Sequence, residues 1–181
     1  YLARAGDCAA CHTADAGQPF AGGRAIPTPF GTIYSSNITP DEHTGIGAWT
    51  EAEFYDALHR GMAPGGRHLY PAFPYPWYTK LTRDDVDALR AFLKTVQPVK
   101  QENRQADLPW PLSWRGGLGV WNGLYFDEGT YRGNPAQSAE WNRGAGNLIQ
   151  LGNSFANHLV RPARHGCHCI RRANSNRFET Q

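Results

Sequence analysis

Cys8-Ala9-Ala10-Cys11-His12 is the stretch from which the rest of this chain is read. Two thiols three residues apart, followed at once by an imidazole, match the attachment pattern of a c-type haem, in which each sulfur adds across a vinyl group and the histidine takes the iron. The spacing has a mechanical reason. On one helical turn positions i and i+3 face the same side, so both sulfurs reach one porphyrin edge while His12 swings under its face. A bare Cys-x-x-Cys also serves as a redox dithiol or as half of a zinc site. The first needs a strand ahead of the motif and the second needs another pair nearby, and neither stands beside this motif.

Outward from the motif, Tyr1 to Ala10 reads as one helix entering it, with Leu2, Ala5 and Ala9 at spacings of three and four. Residues 17 to 39 carry little periodicity and are punctuated by Gly22-Gly23, Pro27, Pro29 and Gly31, which reads as a loop wrapping the haem edge. A backbone carbonyl near Pro27 or Pro29 is expected to accept the second N–H of His12 and so to set its tautomer. Thr50-Glu51-Ala52-Glu53 is a capping box opening a short helix with Phe54, Ala57 and Leu58 on its apolar face and Gly61 at its end. Trp49, just ahead of it, is a candidate donor to a haem propionate, with packing as the plain alternative. A second box, Thr82 with Asp85, starts a helix expected to run to about Val96, before Pro98; Val86, Leu89, Leu93 and Val96 form its stripe, with Phe92 alongside. The core is expected where the first helix crosses this one.

At 181 residues, with 40% hydrophobic and 19% charged, the chain allows one ordinary domain plus an extension, or two small ones. Its 20 glycines, 13 prolines and 6 tryptophans favour a loop-rich fold around something large and flat, and a haem would supply the core that short helices cannot build alone. No run of about 20 apolar residues exists to span a membrane. The chain opens at Tyr1, without methionine or signal peptide, and reads as a mature form or a fragment. Thioether attachment of haem takes place outside the bacterial cytoplasm, so the expected location is the periplasm, peripheral to the inner membrane.

The net charge of +2 hides a split: residues 1–141 carry 12 Lys+Arg against 15 Asp+Glu, whereas residues 142–181 carry 6 arginines against Glu179. That break marks an arginine-rich tail, read as disordered or foreign to what precedes it. Its His165-Gly166-Cys167-His168-Cys169 string is too tightly packed to complete a zinc tetrahedron alone. A nucleophile elbow, a phosphate-cradling glycine loop opening a helix and HExxH are all missing from the sequence. Asp84, Asp85 and Asp87 fall in a helix's first turn, where the dipole favours carboxylates. The tail arginines lack interleaved aromatics and a fold signature, so no nucleic-acid partner is expected.

Longer strings carry a resemblance. Tyr1-Leu2-Ala3-Arg4-Ala5-Gly6-Asp7 ahead of the motif, Pro29-Phe30-Gly31-Thr32-Ile33-Tyr34-Ser35-Ser36-Asn37-Ile38-Thr39-Pro40-Asp41, and Gly66-Arg67-His68-Leu69-Tyr70-Pro71-Ala72-Phe73-Pro74-Tyr75 resemble the first haem module of the multihaem cytochrome c subunits of bacterial membrane-bound dehydrogenases of the alcohol, gluconate and sorbitol type. Trp121-Asn122-Gly123-Leu124-Tyr125-Phe126 and Ser138-Ala139-Glu140-Trp141-Asn142-Arg143-Gly144 resemble the segment leading into that family's second haem, so the likeness covers about residues 1 to 141. Two departures stand out. Many members have methionine, the expected sixth iron ligand, where this chain has Phe73, and the second Cys-x-x-Cys-His is replaced by Cys167-His168-Cys169.

The resemblance implies an all-α, loop-rich cytochrome c domain over 1–100, an irregular Trp- and Gly-rich stretch over 101–141 and the tail at 142–181. Motif and resemblance together imply one covalent haem c held by Cys8, Cys11 and His12; because Phe73 cannot bind iron, Met62, the chain's single methionine and in the same loop between the capped helices, is the candidate sixth ligand and His68 the next. Single electrons would come from a dehydrogenase large subunit and pass towards the quinone-linked respiratory chain. The rival expectation is a haem-based small-ligand-binding or sensory module with an open sixth position.

Overall fold

The computed structural model describes residues 1–144. The helix expected over residues 1 to 10 is two helices, α1 (Leu2–Ala5) and α2 (Cys8–His12), separated at Asp7, whose φ of 56° is left-handed. Aspartate tolerates that conformation better than most residues. The Tyr78 hydroxyl donates to the Gly6 carbonyl at 2.6 Å, satisfying a group that an unbroken helix would have used internally. The haem-motif helix is thereby set off from α1 rather than continuing it.

The all-α expectation is corrected by two small antiparallel sheets. Strands β1 (Ala25–Thr28) and β2 (Gly31–Tyr34) form a hairpin pairing Ala25 with Tyr34 and Thr28 with Gly31, inside the stretch read as loop. Neither strand has a fully buried face, so no alternation marks them in the sequence. The turn is made by Thr28, whose hydroxyl donates to the Gly31 carbonyl at 2.7 Å and accepts from the Phe30 N–H at 3.2 Å.

Both capping boxes form. Helix α3 (Glu51–Arg60) has the reciprocal Thr50–Glu53 bonds and ends at Gly61, φ 63°, as its sequence predicts. Beyond it, β3 (Met62–Ala63) and β4 (Arg67–His68) pair across a 3₁₀ turn at Pro64–Gly66, placing Met62 opposite His68. A one-turn helix α4 (Tyr75–Tyr78) then leads to α5 (Arg83–Leu93), capped by Thr82 and Asp85. α5 stops short of Val96: its carbonyls are taken up by Lys94 N–H bonding to Arg90 and by the Thr95 hydroxyl, which bonds to Phe92 at 2.7 Å. The core unites Ala3 of α1, Phe54 and Leu58 of α3, Tyr78, Leu81, and Val86, Leu89 and Leu93 of α5. The first and last of these helices meet where the apolar stripes predict.

The later chain folds back onto this unit. Asp107 exchanges two backbone bonds with Thr32 at 3.1 and 2.8 Å, and its carboxylate accepts from the Tyr34 hydroxyl at 2.8 Å. Within the stretch expected to be irregular stands α6 (Gly116–Tyr125), masked in the sequence by its four glycines. It is anchored by Tyr75, which donates to Asn122 at 2.6 Å, and by Arg115, which donates to the His68 carbonyl at 2.6 Å. Among the described residues no helix is long and apolar enough to cross a membrane. The tail from residue 145 onward, with Cys167, His168 and Cys169, lies outside them.

Candidate functional site

Helix α2 carries Cys8, half-buried, and Cys11, exposed, one turn apart and not bonded to each other. Cys8 packs on the core cluster, and so do Phe20, Ile38, Ile46, Trp49, Tyr55 and Phe73, all of them half-buried apolar side chains. Burial, and next the neighbouring Cys11, push the Cys8 thiol up to about 11, so it is protonated at neutral pH. Tyr78, which bonds to Gly6 beside the motif, meets Phe73 edge to face with ring centroids 5.4 Å apart.

The half-buried His12 ring places Nδ1 2.7 Å from the Ser36 carbonyl oxygen. A carbonyl only accepts, so Nδ1 carries the proton and Nε2 keeps its lone pair. Burial holds the ring below the usual histidine range, partly offset by the bond to Ser36, and the imidazole is neutral at pH 7. The acceptor is therefore Ser36 and not a carbonyl near Pro27 or Pro29. The reason is the unforeseen hairpin: residues 27 to 29 lie at and beside its turn, and β2 brings the chain back, with Gly22 N–H bonding to the His12 carbonyl at 2.7 Å and Gly23 N–H to Ser35 at 2.8 Å.

Behind Ser36 lies a buried polar knot that sequence reasoning passed over. Asn37, Thr39 and Thr44 are 2%, 0% and 5% exposed. The Asn37 side chain accepts from Thr39 N–H and hydroxyl at 2.9 and 2.7 Å, and donates to Thr44 Oγ1 at 3.0 Å and the Val99 carbonyl at 2.7 Å. Asp41 closes the loop, accepting from the backbone and hydroxyl of Thr44 at 2.7 and 2.8 Å. The available signal was the run of small polar residues, Ser35-Ser36-Asn37, at the end of β2; Asn103, which joins the knot from far downstream, had none.

The remaining sequence candidates fall into two groups. Trp49 packs on the core cluster, its carbonyl accepting from Arg90 at 3.0 Å. Met62 and His68 stand opposite each other in the β3–β4 hairpin, and opposed residues of an antiparallel pair project from the same face. His68 Nδ1 is buried and has no hydrogen-bond partner among the described residues. On its other side Gly119 of α6 has only hydrogen where a Cβ would stand 3.1 Å from His68 Nε2.

These residues suit a covalent haem. Two thiols on one turn, a neutral imidazole tied at Nδ1, and half-buried apolar side chains that share the core surface with Cys8 match the chemistry that such a group needs for attachment, ligation and burial. Comparison with known proteins gives the same answer at the level of the family. The model of the cytochrome c family matches residues 2–97. The chain is 53% identical over 126 residues to the gluconate 2-dehydrogenase cytochrome c subunit of Pantoea cypripedii, covering 69% of this chain and 29% of that protein. It is 46% identical over 147 residues to the fructose dehydrogenase cytochrome subunit of Gluconobacter japonicus, covering 80% and 30%. It is also 46% identical over 160 residues to a nicotinate dehydrogenase subunit of Pseudomonas putida, covering 88% and 14%. At 88% of the chain, that last likeness is too long to fit within residues 1–144, so it reaches past Gly144, the end of the segments in which the sequence alone shows a resemblance. The chain spans less than a third of the length of each of these relatives.

Proposed function

The chain belongs to the cytochrome c family, and on that premise we propose that it is the haem-bearing electron carrier of a periplasmic dehydrogenase complex. Electrons would arrive one at a time from a catalytic subunit oxidising an alcohol, aldehyde or sugar acid, and leave towards the quinone-linked respiratory chain. The observation that carries this reading is the bond from His12 Nδ1 to the Ser36 carbonyl, which leaves the Nε2 lone pair available to iron on the same short helix that carries Cys8 and Cys11. The bound haem c supplies the ferrous–ferric couple. Cys8 and Cys11 would tether it, His12 would ligate the iron through Nε2, and the half-buried apolar side chains that pack with Cys8 on the core would help to exclude water. Trp49 is assigned to a propionate. Residues 1–100 form the haem domain in this reading, with 101–141 as the linker that in the family leads into a second haem module, whose Cys-x-x-Cys-His this chain lacks.

For the sixth position we assign Met62. A thioether raises the reduction potential relative to a second imidazole, which suits a carrier that receives electrons from an organic substrate's oxidation. His68 is the second reading, favoured by its buried, unpartnered Nδ1. Optical spectra of the ferric holoprotein separate the two. With Met62 bound, the weak red sulfur-to-iron band is present and is lost in Met62→Ala while His68→Ala keeps it. A band absent from the wild type, with a low-spin spectrum that turns high-spin in His68→Ala, would replace Met62 by His68. A high-spin wild type that binds carbon monoxide when reduced would favour the ligand-binding alternative over the carrier.

A further inference from the structure

The Ser36 carbonyl and the Asn37 N–H belong to one peptide unit, and both of its ends are bonded. The carbonyl accepts from His12 at 2.7 Å, and the N–H donates to Asn103 Oδ1 at 2.7 Å. Asn103 in turn donates through Nδ2 to the Thr44 carbonyl at 2.8 Å, so its amide orientation is set by the same knot. The result is a continuous chain running from Thr44 through Asn103 and a single peptide group to the imidazole. Hydrogen bonds in series polarise one another, so a bonded N–H makes the carbonyl at the other end of its peptide a stronger acceptor. Geometry is constrained from both sides as well. A Cβ on Gly22 would lie 2.5 Å from the Ser36 oxygen, and the Asn37 side chain is bonded at both of its polar atoms. Ser36 itself is exposed, so these neighbours, rather than burial of its own side chain, hold the carbonyl.

We propose that Asn103 is a positioning residue for the axial histidine, acting through the 36–37 peptide to strengthen the bond at His12 Nδ1 and so to lower the reduction potential of the haem. The inference rests on His12 being the axial ligand. A stronger acceptor at Nδ1 makes the imidazole a better donor to iron, which favours the ferric state. Loss of Asn103 leaves the peptide N–H without that partner, the carbonyl weakens as an acceptor, and the ferrous state gains.

The test uses the haem-loaded full chain. In Asn103→Ala the equilibrium constant for reduction rises about tenfold, which for one electron is about 59 mV, and the His12 Nδ1 proton of the ferrous protein exchanges with solvent faster by a similar factor. Tyr34→Phe is the control, because it loosens the same downstream segment at Asp107 without touching the 36–37 peptide. Its potential stays at the wild-type value. Equal shifts in the two variants, or none in Asn103→Ala, would overturn the inference. If Asn103→Ala does not fold, the wild-type holoprotein still decides: the Asn37 amide and the His12 Nδ1 proton are both protected from exchange, and a freely exchanging Asn37 amide would overturn it. A wild-type protein without covalent haem would contradict the proposed function instead.

Discussion

A c-type site needs more than its motif, because a histidine free to rotate or to change tautomer is a poor ligand. Here the constraint is one carbonyl, and the residue that lets it approach is Gly22, φ 78°, where any side chain would meet Ser36 and Asn37. Gly65 provides an internal comparison, with φ 75° but nothing near its missing Cβ. Gly65→Ala should cost about 1 kcal/mol, the left-handed penalty alone. Gly22→Ala should cost about 2 kcal/mol more, and it alone should alter the haem spectrum. Denaturant midpoints and ferric spectra of the two variants check this; equal losses with unchanged spectra would contradict it. Cys8, Cys11 and His12 were legible as a motif because their spacing is local. Ser36 was not, since the choice of carbonyl depends on which residue the β1–β2 register returns to the histidine.

At the scale of elements, legibility followed the range of the interactions. The two capped helices could be read because a capping box is closed within four residues, and both boxes formed as written. The hairpins could not, being short, half-exposed and held by bonds to distant chain. α3 adds a consequence that follows from its packing. His59 is 2% exposed, stacks on Tyr55 at 4.0 Å, and has a buried Nε2 without a hydrogen-bond partner among the described residues. Burial holds it below the usual histidine range, with Glu128 opposing. As pH falls through about 6.5, the unfolded chain takes up this proton and the folded chain does not, so stability is present above that pH and lost below it, by up to about 1.4 kcal/mol per pH unit. Thermal midpoints between about pH 5 and pH 8 should fall on acidification in the wild type and less steeply in His59→Phe, which keeps the stacked ring. Parallel curves would remove His59 as the titrating group.

Across the described residues, the part that carries the Cys8–His12 motif is braced by the chain's own downstream sequence. Residues 99–107 return to β2 and the Asn37 knot, α6 bonds to Tyr75, Arg115 just ahead of α6 bonds to the His68 carbonyl of β4, Tyr131 N–H bonds to the Lys80 carbonyl at 3.1 Å, and Glu128 pairs with Arg60 at 2.9 Å. Composition cannot reveal such bonds, and the stretch from 101 onward read as irregular for that reason. What the motif offered was the proposed chemistry, because a c-type attachment pattern is written in five consecutive residues, while the bonds that fix His12 and the 36–37 peptide join positions 24 and 66 apart. The most direct test of the account is the mass and peptide map of the protein expressed with haem-maturation machinery and extracted with acid acetone. One haem per chain should be retained through extraction, map to the peptide holding Cys8 and Cys11, and be absent from Cys8→Ala/Cys11→Ala. Haem that extracts freely, or that remains attached in the double variant, would contradict it.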